Sequence, residues 1–412
     1  ITLESVKSAA EIVKEVVVKT PLQKNNNLSL KFNANVLLKR EDLQQVRSYK
    51  IRGAYHKISS LSEDETENGI VCASAGNHAQ GVAFACNTLK IKGTIVMPTP
   101  TPNQKIEQVK MFGGDFVEVV LVGDTFDDAS IYAKKVCSDQ KKTFVHPFDD
   151  IKIIEGQATV GLEIIEQSKE PIDYLFLPVG GGGLAAGISS MFKLISPTTK
   201  IIGVEPEGAP SMKTAIAQNK VVILDTIDKF IDGAAVKQVG QLTFVICKDN
   251  LHKMITIPEG KVCQTILDLY NKDAIVVEPA GALSIAALDT FKEEIQGKNV
   301  VCIVSGSNND ITRTSEIKER ALLYANLKHY FIIRFPQRAG ALKEFVAEIL
   351  GPNDDITHFE YTKKHSKENA PAVVGIELKN EEDLEPLIAR MKARNFFGDY
   401  INNKPDLFDF LV

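Results

Sequence analysis

The sequence predicts an α/β chain in two parts: parallel sheets covered by helices over residues 1–322, then a ferredoxin-like module over residues 326–412. Two observations carry this. Short apolar runs alternate with helical patterns through the first part, the signature of parallel strands joined by helical crossovers. Near residue 325 the order changes to strand, helix, strand, strand, helix, strand, the split β-α-β-β-α-β arrangement.

In chain order, the opening ITLESVKSAAEIVKEVVVKT reads as one amphipathic helix. LKREDLQQVRSYKIRGAYHKI, residues 38–58, is densely charged, yet Lys50 stands where an interior residue is expected, near the start of a helix. Strand and helix then follow in pairs: NGIVCAS with GNHAQGVAFACNTL, KGTIVMP with NQKIEQVKMFG, DYLFLPV with GLAAGISSMFKLI, and NVVCIVSG with a polar helix. In the tail, HYFIIRF, DITHFEYTKK, PAVVGIELK and a weak segment near Tyr400 read as strands, and AGALKEFVAEIL and EDLEPLIARMKA as helices. The boundary between the two parts falls between Glu319 and Leu327.

The 412 residues are 44% apolar and 25% charged, ordinary for a globular chain. A net charge of −5 without any basic block argues against nucleic acid and anionic membranes as partners. No run approaches the roughly 18 apolar residues that span a bilayer. A cytoplasmic location is expected. The six cysteines show no CxxC spacing, and Cys72 and Cys302 lie in strand-like apolar runs, so reduced structural thiols are expected.

Four segments carry candidate chemistry. Gly180, Gly181, Gly182 and Gly183 stand between a strand and a helix. Four glycines strip every Cβ from the turn, and the amides at the next helix start point at an anion, for which phosphate is the natural occupant. A turn needed only for packing is the alternative. The stretch is neither GxGxxG nor a P-loop. At a second strand-to-helix junction, ASAGNHAQGVA, Ser74, the amide of Gly76 and the side chain of Asn77 form a cluster of small donors for a carboxylate or ring hydroxyl, although ordinary helix capping also explains Ser74 or Asn77 taken singly. Ser305 closes an apolar strand in VSGSNND and can offer a hydroxyl to a heteroatom. Lys50, desolvated among Ser48, Tyr49, Ile51 and Gly53, would be a nucleophilic amine suited to Schiff-base chemistry. Lysine and phosphate cradle together suggest pyridoxal phosphate.

SYKIRGA, SAGNHAQGVA, GGGGL and SGSNND, in that order, resemble the serine/threonine dehydratases, pyridoxal-phosphate enzymes of fold type II, the tryptophan-synthase-β type, and the tail resembles the ACT-like regulatory domain of biosynthetic threonine dehydratases. The resemblance implies a two-lobed catalytic region with a small lobe at about residues 48–145. It implies that Lys50 holds the cofactor covalently, that Asn77 bonds its ring hydroxyl, that Gly180 through Leu184 bind its phosphate, and that Ser305 faces the pyridine nitrogen. Ser74, Ala75, Gly76 and Asn77 would cradle the substrate carboxylate, while Asp232–Val236 and Glu278 would flank the ring.

The activity implied is conversion of L-threonine, and also L-serine, to a 2-oxo acid and ammonia, with Lys50 as general base and isoleucine biosynthesis as the destination. Isoleucine is the implied effector of a homotetramer, bound at the first turn of the tail near Gln337, Ala339 and Gly340; a tail that only assembles subunits is the alternative. Some relatives bind a cation at a glutamate, a carbonyl and an aspartate. Glu205 and Ala209 match the first two, but Ser211 stands third, which leaves a monovalent ion open and disfavours a divalent one; a plain strand-end carboxylate is the alternative reading of Glu205. Serine racemase, serine dehydratase and β-replacement enzymes of the same fold are the alternatives.

Overall fold

The computed structural model describes residues 1–361 and 369–411, which form two compact units, Ile1–Arg313 and Thr314–Val412. The first unit holds two sheets. The larger has the order β1-β2-β10-β7-β8-β9, from β1 (Leu22–Lys24), β2 (Asn35–Arg40), β7 (Tyr174–Pro178), β8 (Lys200–Pro206), β9 (Lys253–Ile257) and β10 (Asn299–Val304). All of its pairings are parallel except that of β1 with β2. The smaller sheet is wholly parallel, in the order β5-β4-β3-β6, from β3 (Ile70–Ala73), β4 (Gly93–Met97), β5 (Val117–Leu121) and β6 (Thr143–Phe144).

The central strands are apolar because helices cover them. The strand residues of β3, β4 and β7 are all buried. Register then decides where function can sit. Cys302 of β10 lies beside Phe176 of β7, and Val304 beside Arg40 of β2, so the turns that follow β7 and β10 emerge at the same carboxyl end of the sheet. Ligands of open α/β sheets bind at such ends.

The opening segment differs from its sequence expectation. The helix stops at Val13, and Val16 and Val17 instead donate to the Val13 carbonyl in a turn. The run Val16–Val17–Val18 is β-branched, which crowds a continuing helix. Val18 exchanges two hydrogen bonds with the side chain of Gln44, at 2.9 and 2.8 Å.

In the second unit, strands β11 (Lys328–Pro336), β12 (Asp355–Tyr361), β13 (Asn369–Glu377) and β14 (Phe397–Tyr400) form an antiparallel sheet in the order β12-β13-β11-β14. This is the ferredoxin-like order. Helices Ala341–Glu348 and Leu384–Ala393 follow β11 and β13. The core is aromatic: Phe331, Phe335, Phe345 and Phe396 are buried together. The final Thr362–Lys364 of the expected strand DITHFEYTKK lie outside the described residues. The contact division at Arg313 and Thr314 precedes the boundary read from the sequence. Helix Thr314–Tyr324 groups with the module because Glu319 accepts the Tyr330 hydroxyl at 2.5 Å and pairs with Lys328 at 3.5 Å.

Candidate active site

Lys50 is the first residue of helix Lys50–Ser59. The chain entering that helix is tied to the segment after β10: Ser48 bridges Gly306, the Tyr49 amide donates to the Ser305 carbonyl at 3.2 Å, and the Ser307 amide to that of Arg47 at 2.9 Å. Lys50 Nζ donates to the Pro147 carbonyl at 2.9 Å. Burial of the amine pushes its pKa down to about 8, partly opposed by the Glu278 carboxylate. The same helix is clamped two residues later. All five N–H groups of the buried Arg52 guanidinium are used, on Glu41 (2.8 and 2.8 Å), Glu163 (2.7 and 3.0 Å) and Thr159 (3.1 Å).

Helix Asn77–Leu89 presses against this start, because Gly81 has no Cβ: one there would lie 3.0 Å from the Lys50 carbonyl oxygen. Ahead of it, the Ser74 hydroxyl accepts from the amides of Gly76 and Ala79, both at 3.3 Å. Its O–H remains a donor. Gly76 borders open space, with no atom within 4 Å of where a Cβ would be. The Asn77 side chain reaches across the chain, donating to Glu278 Oε1 at 2.7 Å and accepting from Asn308 Nδ2 at 2.7 Å. His78 bonds the Val145 carbonyl at 3.1 Å, and burial with the nearby Lys50 charge holds its pKa down to about 3, the position of a structural histidine.

The glycine turn lies against the residues that bind Lys50. Cβ atoms on Gly181 or Gly183 would strike Phe148, the neighbour of Pro147, and one on Gly180 would meet the Ala234 backbone at 3.1 Å. Gly182 has φ +95°, a left-handed conformation that favours glycine, and helix Gly183–Ile195 starts beyond it. Close packing thus accounts for the missing side chains, and the first-turn amides of that helix, including Leu184, have no partner within the helix. Thr243 donates to the Gly181 carbonyl at 2.7 Å and holds the turn in place.

Ser305 is buried at the end of β10. Beside it, Gly306 makes room for the Glu278 carboxyl, 2.6 Å from where its Cβ would be. Burial, with the Asp232 charge, raises the Glu278 pKa to about 7. Lys50, Asn77, the glycine turn and Ser305 therefore converge. Arg52, Pro147, Phe148 and Asn308 join them without having been singled out in the sequence. Asp149 and Asp150, just beyond Phe148, both cap helices, Asp149 accepting from the distant Leu242 amide at 2.9 Å and Asp150 from that of Lys152 at 2.7 Å.

Glu205 stands behind the glycine turn, since Met212, from whose amide it accepts, would be 2.8 Å from a Cβ on Gly182. Glu205 accepts from the amides of Met212 (2.6 Å) and Lys213 (2.9 Å) and from the Ser211 hydroxyl (3.3 Å), so it caps helix Ser211–Gln218. The Ala209 carbonyl accepts from the Ser211 amide at 3.0 Å. Among the described residues, no group of three or more His, Cys, Asp or Glu can hold a metal ion. Gln337, Ala339 and Gly340 form the turn between β11 and helix Ala341–Glu348, with Gly340 at φ +86°. All six cysteines are free thiols. Among the described residues, no helix is long and apolar enough to cross a membrane.

Fold and site together define a pyridoxal-phosphate-dependent enzyme: residues 13–306 match the family described as pyridoxal-phosphate dependent enzyme. Residues 319–411 match the C-terminal regulatory domain of threonine dehydratase. The chain is 58% identical over 412 residues to the biosynthetic L-threonine dehydratase IlvA of Halalkalibacterium halodurans, covering 100% of this chain and 99% of that one. Its identity to the Bacillus subtilis enzyme of the same name is 54%, covering 100% and 98%. The chain belongs to the biosynthetic threonine dehydratase family. Processed threonine deaminase isoform 2 from Solanum lycopersicum superposes with TM-score 0.73 at 40% identity, over 78% of this chain and 94% of that one. Maize serine racemase gives 0.72 at 29%, over 78% and 98%.

Proposed function

We propose that this chain is a pyridoxal-phosphate-dependent L-threonine dehydratase, releasing 2-oxobutanoate and ammonia as the first step of isoleucine biosynthesis. The observation that carries the reading is the placement of Lys50: a buried amine pushed down to about 8, bonded to Pro147, whose neighbour Phe148 packs on the glycine turn. An amine and an anion cradle on the two sides of one short segment suit an aldehyde that also carries a phosphate. When bound, the cofactor supplies an electron sink for the charge left when the substrate α-proton departs.

The protein supplies the rest. Lys50 would hold the cofactor, and its amine, pushed down to about 8 by burial and so partly neutral near pH 7, would be the base for the substrate α-proton. The amides of Gly180 through Leu184 would hold the phosphate. Asn77 would donate to the ring hydroxyl, and Ser305 would offer the ring nitrogen a neutral hydroxyl, which does not favour a protonated ring. Ser74, through its O–H, with Ala75, Gly76 and Asn77, orients the substrate carboxylate. L-Serine fits the same groups, since one methyl in a pocket changes selectivity by only about 1–3 kcal/mol.

The second unit senses isoleucine at the Gln337–Ala339–Gly340 turn and controls a homotetramer by binding two global states unequally. The enzyme works in the cytoplasm, and Glu205 with Ala209 is at most a monovalent-cation site. Borohydride reduction of purified protein should leave a pyridoxyl mass on the peptide containing Lys50; a colourless, unlabelled protein refutes the assignment. Threonine turnover titrated with isoleucine, against a chain ending at Arg313, tests regulation, and an unresponsive full-length chain defeats it.

A further inference from the structure

We infer that Asn308 is a positioning residue: it fixes which way the Asn77 amide faces, and thereby which atom Asn77 presents to a bound ring hydroxyl. The inference rests on the proposed role of pyridoxal phosphate and deepens it. Asn308 is anchored by both hydrogens of its amide nitrogen, one on the Val46 carbonyl at 2.9 Å and one on Asn77 Oδ1 at 2.7 Å. A backbone carbonyl can only accept. Turning the Asn308 amide over would therefore set its oxygen against the Val46 oxygen, so its orientation has a single satisfactory solution.

That solution propagates. With Asn308 donating to Asn77 Oδ1, the Asn77 nitrogen must point the other way, and one of its hydrogens goes to Glu278 Oε1 at 2.7 Å. A primary amide has two N–H donors. The second one is left for a ligand, and it suits an acceptor oxygen such as the ionised hydroxyl of a pyridine ring. In the flipped state Asn77 would show an oxygen to that same acceptor, and attraction would become repulsion. Asn308 bears a cost for holding this arrangement: its own Oδ1 is buried with no hydrogen-bond partner. A buried orphan acceptor is rarely retained without a function.

The chain Val46–Asn308–Asn77–Glu278 joins four segments separated in sequence, and each bond runs in one direction. Asn308 follows Ser305 by three residues, so the strand end that places one contact with the ring also governs a second.

The test is a double-mutant cycle read as pyridoxal-phosphate affinity of the apoprotein, by fluorescence titration. Asn308→Ala should weaken cofactor binding by about tenfold, the equivalent of one hydrogen bond of about 1.4 kcal/mol. Asn77→Ala should weaken it at least as much, and the double variant should match Asn77→Ala alone. Asn308→Asp, whose carboxylate cannot donate to Val46 or Asn77, should behave like the alanine variant and stands in for it if that variant fails to fold. The absorbance of the bound cofactor should shift the same way in Asn308→Ala and Asn77→Ala, which a general loosening of the fold would not produce. Multiplying losses in the double variant, or an Asn308→Ala affinity within twofold of wild type, overturns the inference. A wild-type chain that binds no pyridoxal phosphate overturns instead the proposed function on which the inference stands.

Discussion

Lys50 and Arg52 lie two residues apart on one helix, and both bring a cationic side chain into the interior, yet the protein treats them oppositely. Arg52 meets two carboxylates and a hydroxyl, one acceptor for each of its five donors. Lys39, bonded to Glu163 (2.5 Å), the Thr20 carbonyl (2.7 Å) and Gln167 (3.0 Å), completes a cluster in which two cations face Glu41 and Glu163. Its formal charge is zero. Burial alone would lower the basicity of Arg52, but the two carboxylates more than offset it and hold it above its ordinary value. Lys50 has one carbonyl at 2.9 Å and a more distant carboxylate, and burial wins. The difference shows that depth in the protein does not decide reactivity; the supply of acceptors does. A saturated cation is an anchor, and an undersupplied one a reagent.

The largest expected effect breaks the reagent. Lys50→Ala should cut keto-acid release from threonine by at least about 10³-fold, since attachment and proton transfer both depend on this amine. Equal rates for the variant and the wild type would end the assignment. Breaking the anchor should look different. Arg52→Met leaves Glu41 and Glu163 with Lys39 as the only cation of the cluster, and losing one partner of a buried ion pair costs about 3–5 kcal/mol. Urea unfolding of the apoprotein should record it; a loss below about 1 kcal/mol would mean the cluster is no anchor.

The contrast between the two side chains was only half legible in the sequence. Lys50 could be singled out because a lysine among small and apolar neighbours before a helix is conspicuous, and the glycine run marks its own turn. Parallel sheets and the antiparallel tail followed from alternation, because apolar strands and helical spacing are local signals. Arg52 was not legible, because its partners Glu41, Thr159 and Glu163 lie 11 to 111 residues away and carry no local mark. Pro147 and Phe148 were silent for the same reason. Strands β8 and β9 were not singled out, since short runs such as KIIGVEP and KMITI resemble any apolar turn. Glu205 was legible only as a choice between an ion ligand and a strand-end carboxylate, because its bonds to the amides of Met212 and Lys213 depend on how the next helix is seated.

The pH response sharpens the comparison next. An amine reacts as its neutral form, so its rate with an aldehyde rises with pH up to its pKa. For Lys50 that midpoint lies at about 8, against about 10.4 for an ordinary lysine. At pH 7.5 the neutral fraction is roughly 200-fold that of an unperturbed lysine. The rate at which apoprotein recombines with pyridoxal phosphate, followed by absorbance, should climb between pH 6.5 and 8.5 and then flatten. A rate still climbing steeply past pH 9.5 would show that the amine is not desolvated.

The smallest effect is the most discriminating, because it touches Arg52 without removing it. The Thr159 hydroxyl accepts from Arg52 at 3.1 Å and donates to the Gly156 carbonyl at 2.6 Å. Thr159→Val keeps the shape, deletes the acceptor and leaves one guanidinium N–H buried without a partner, which costs about 1–3 kcal/mol. The other four donors of Arg52 keep their carboxylates, so the helix start should stay where it is. The apoprotein should therefore lose stability in urea, while the recombination midpoint of Lys50 remains at its wild-type value. If the midpoint moves upward with the stability, anchor and reagent are not separable, and the low basicity of Lys50 depends on the exact seating of the helix by Arg52 rather than on the scarcity of acceptors around the amine.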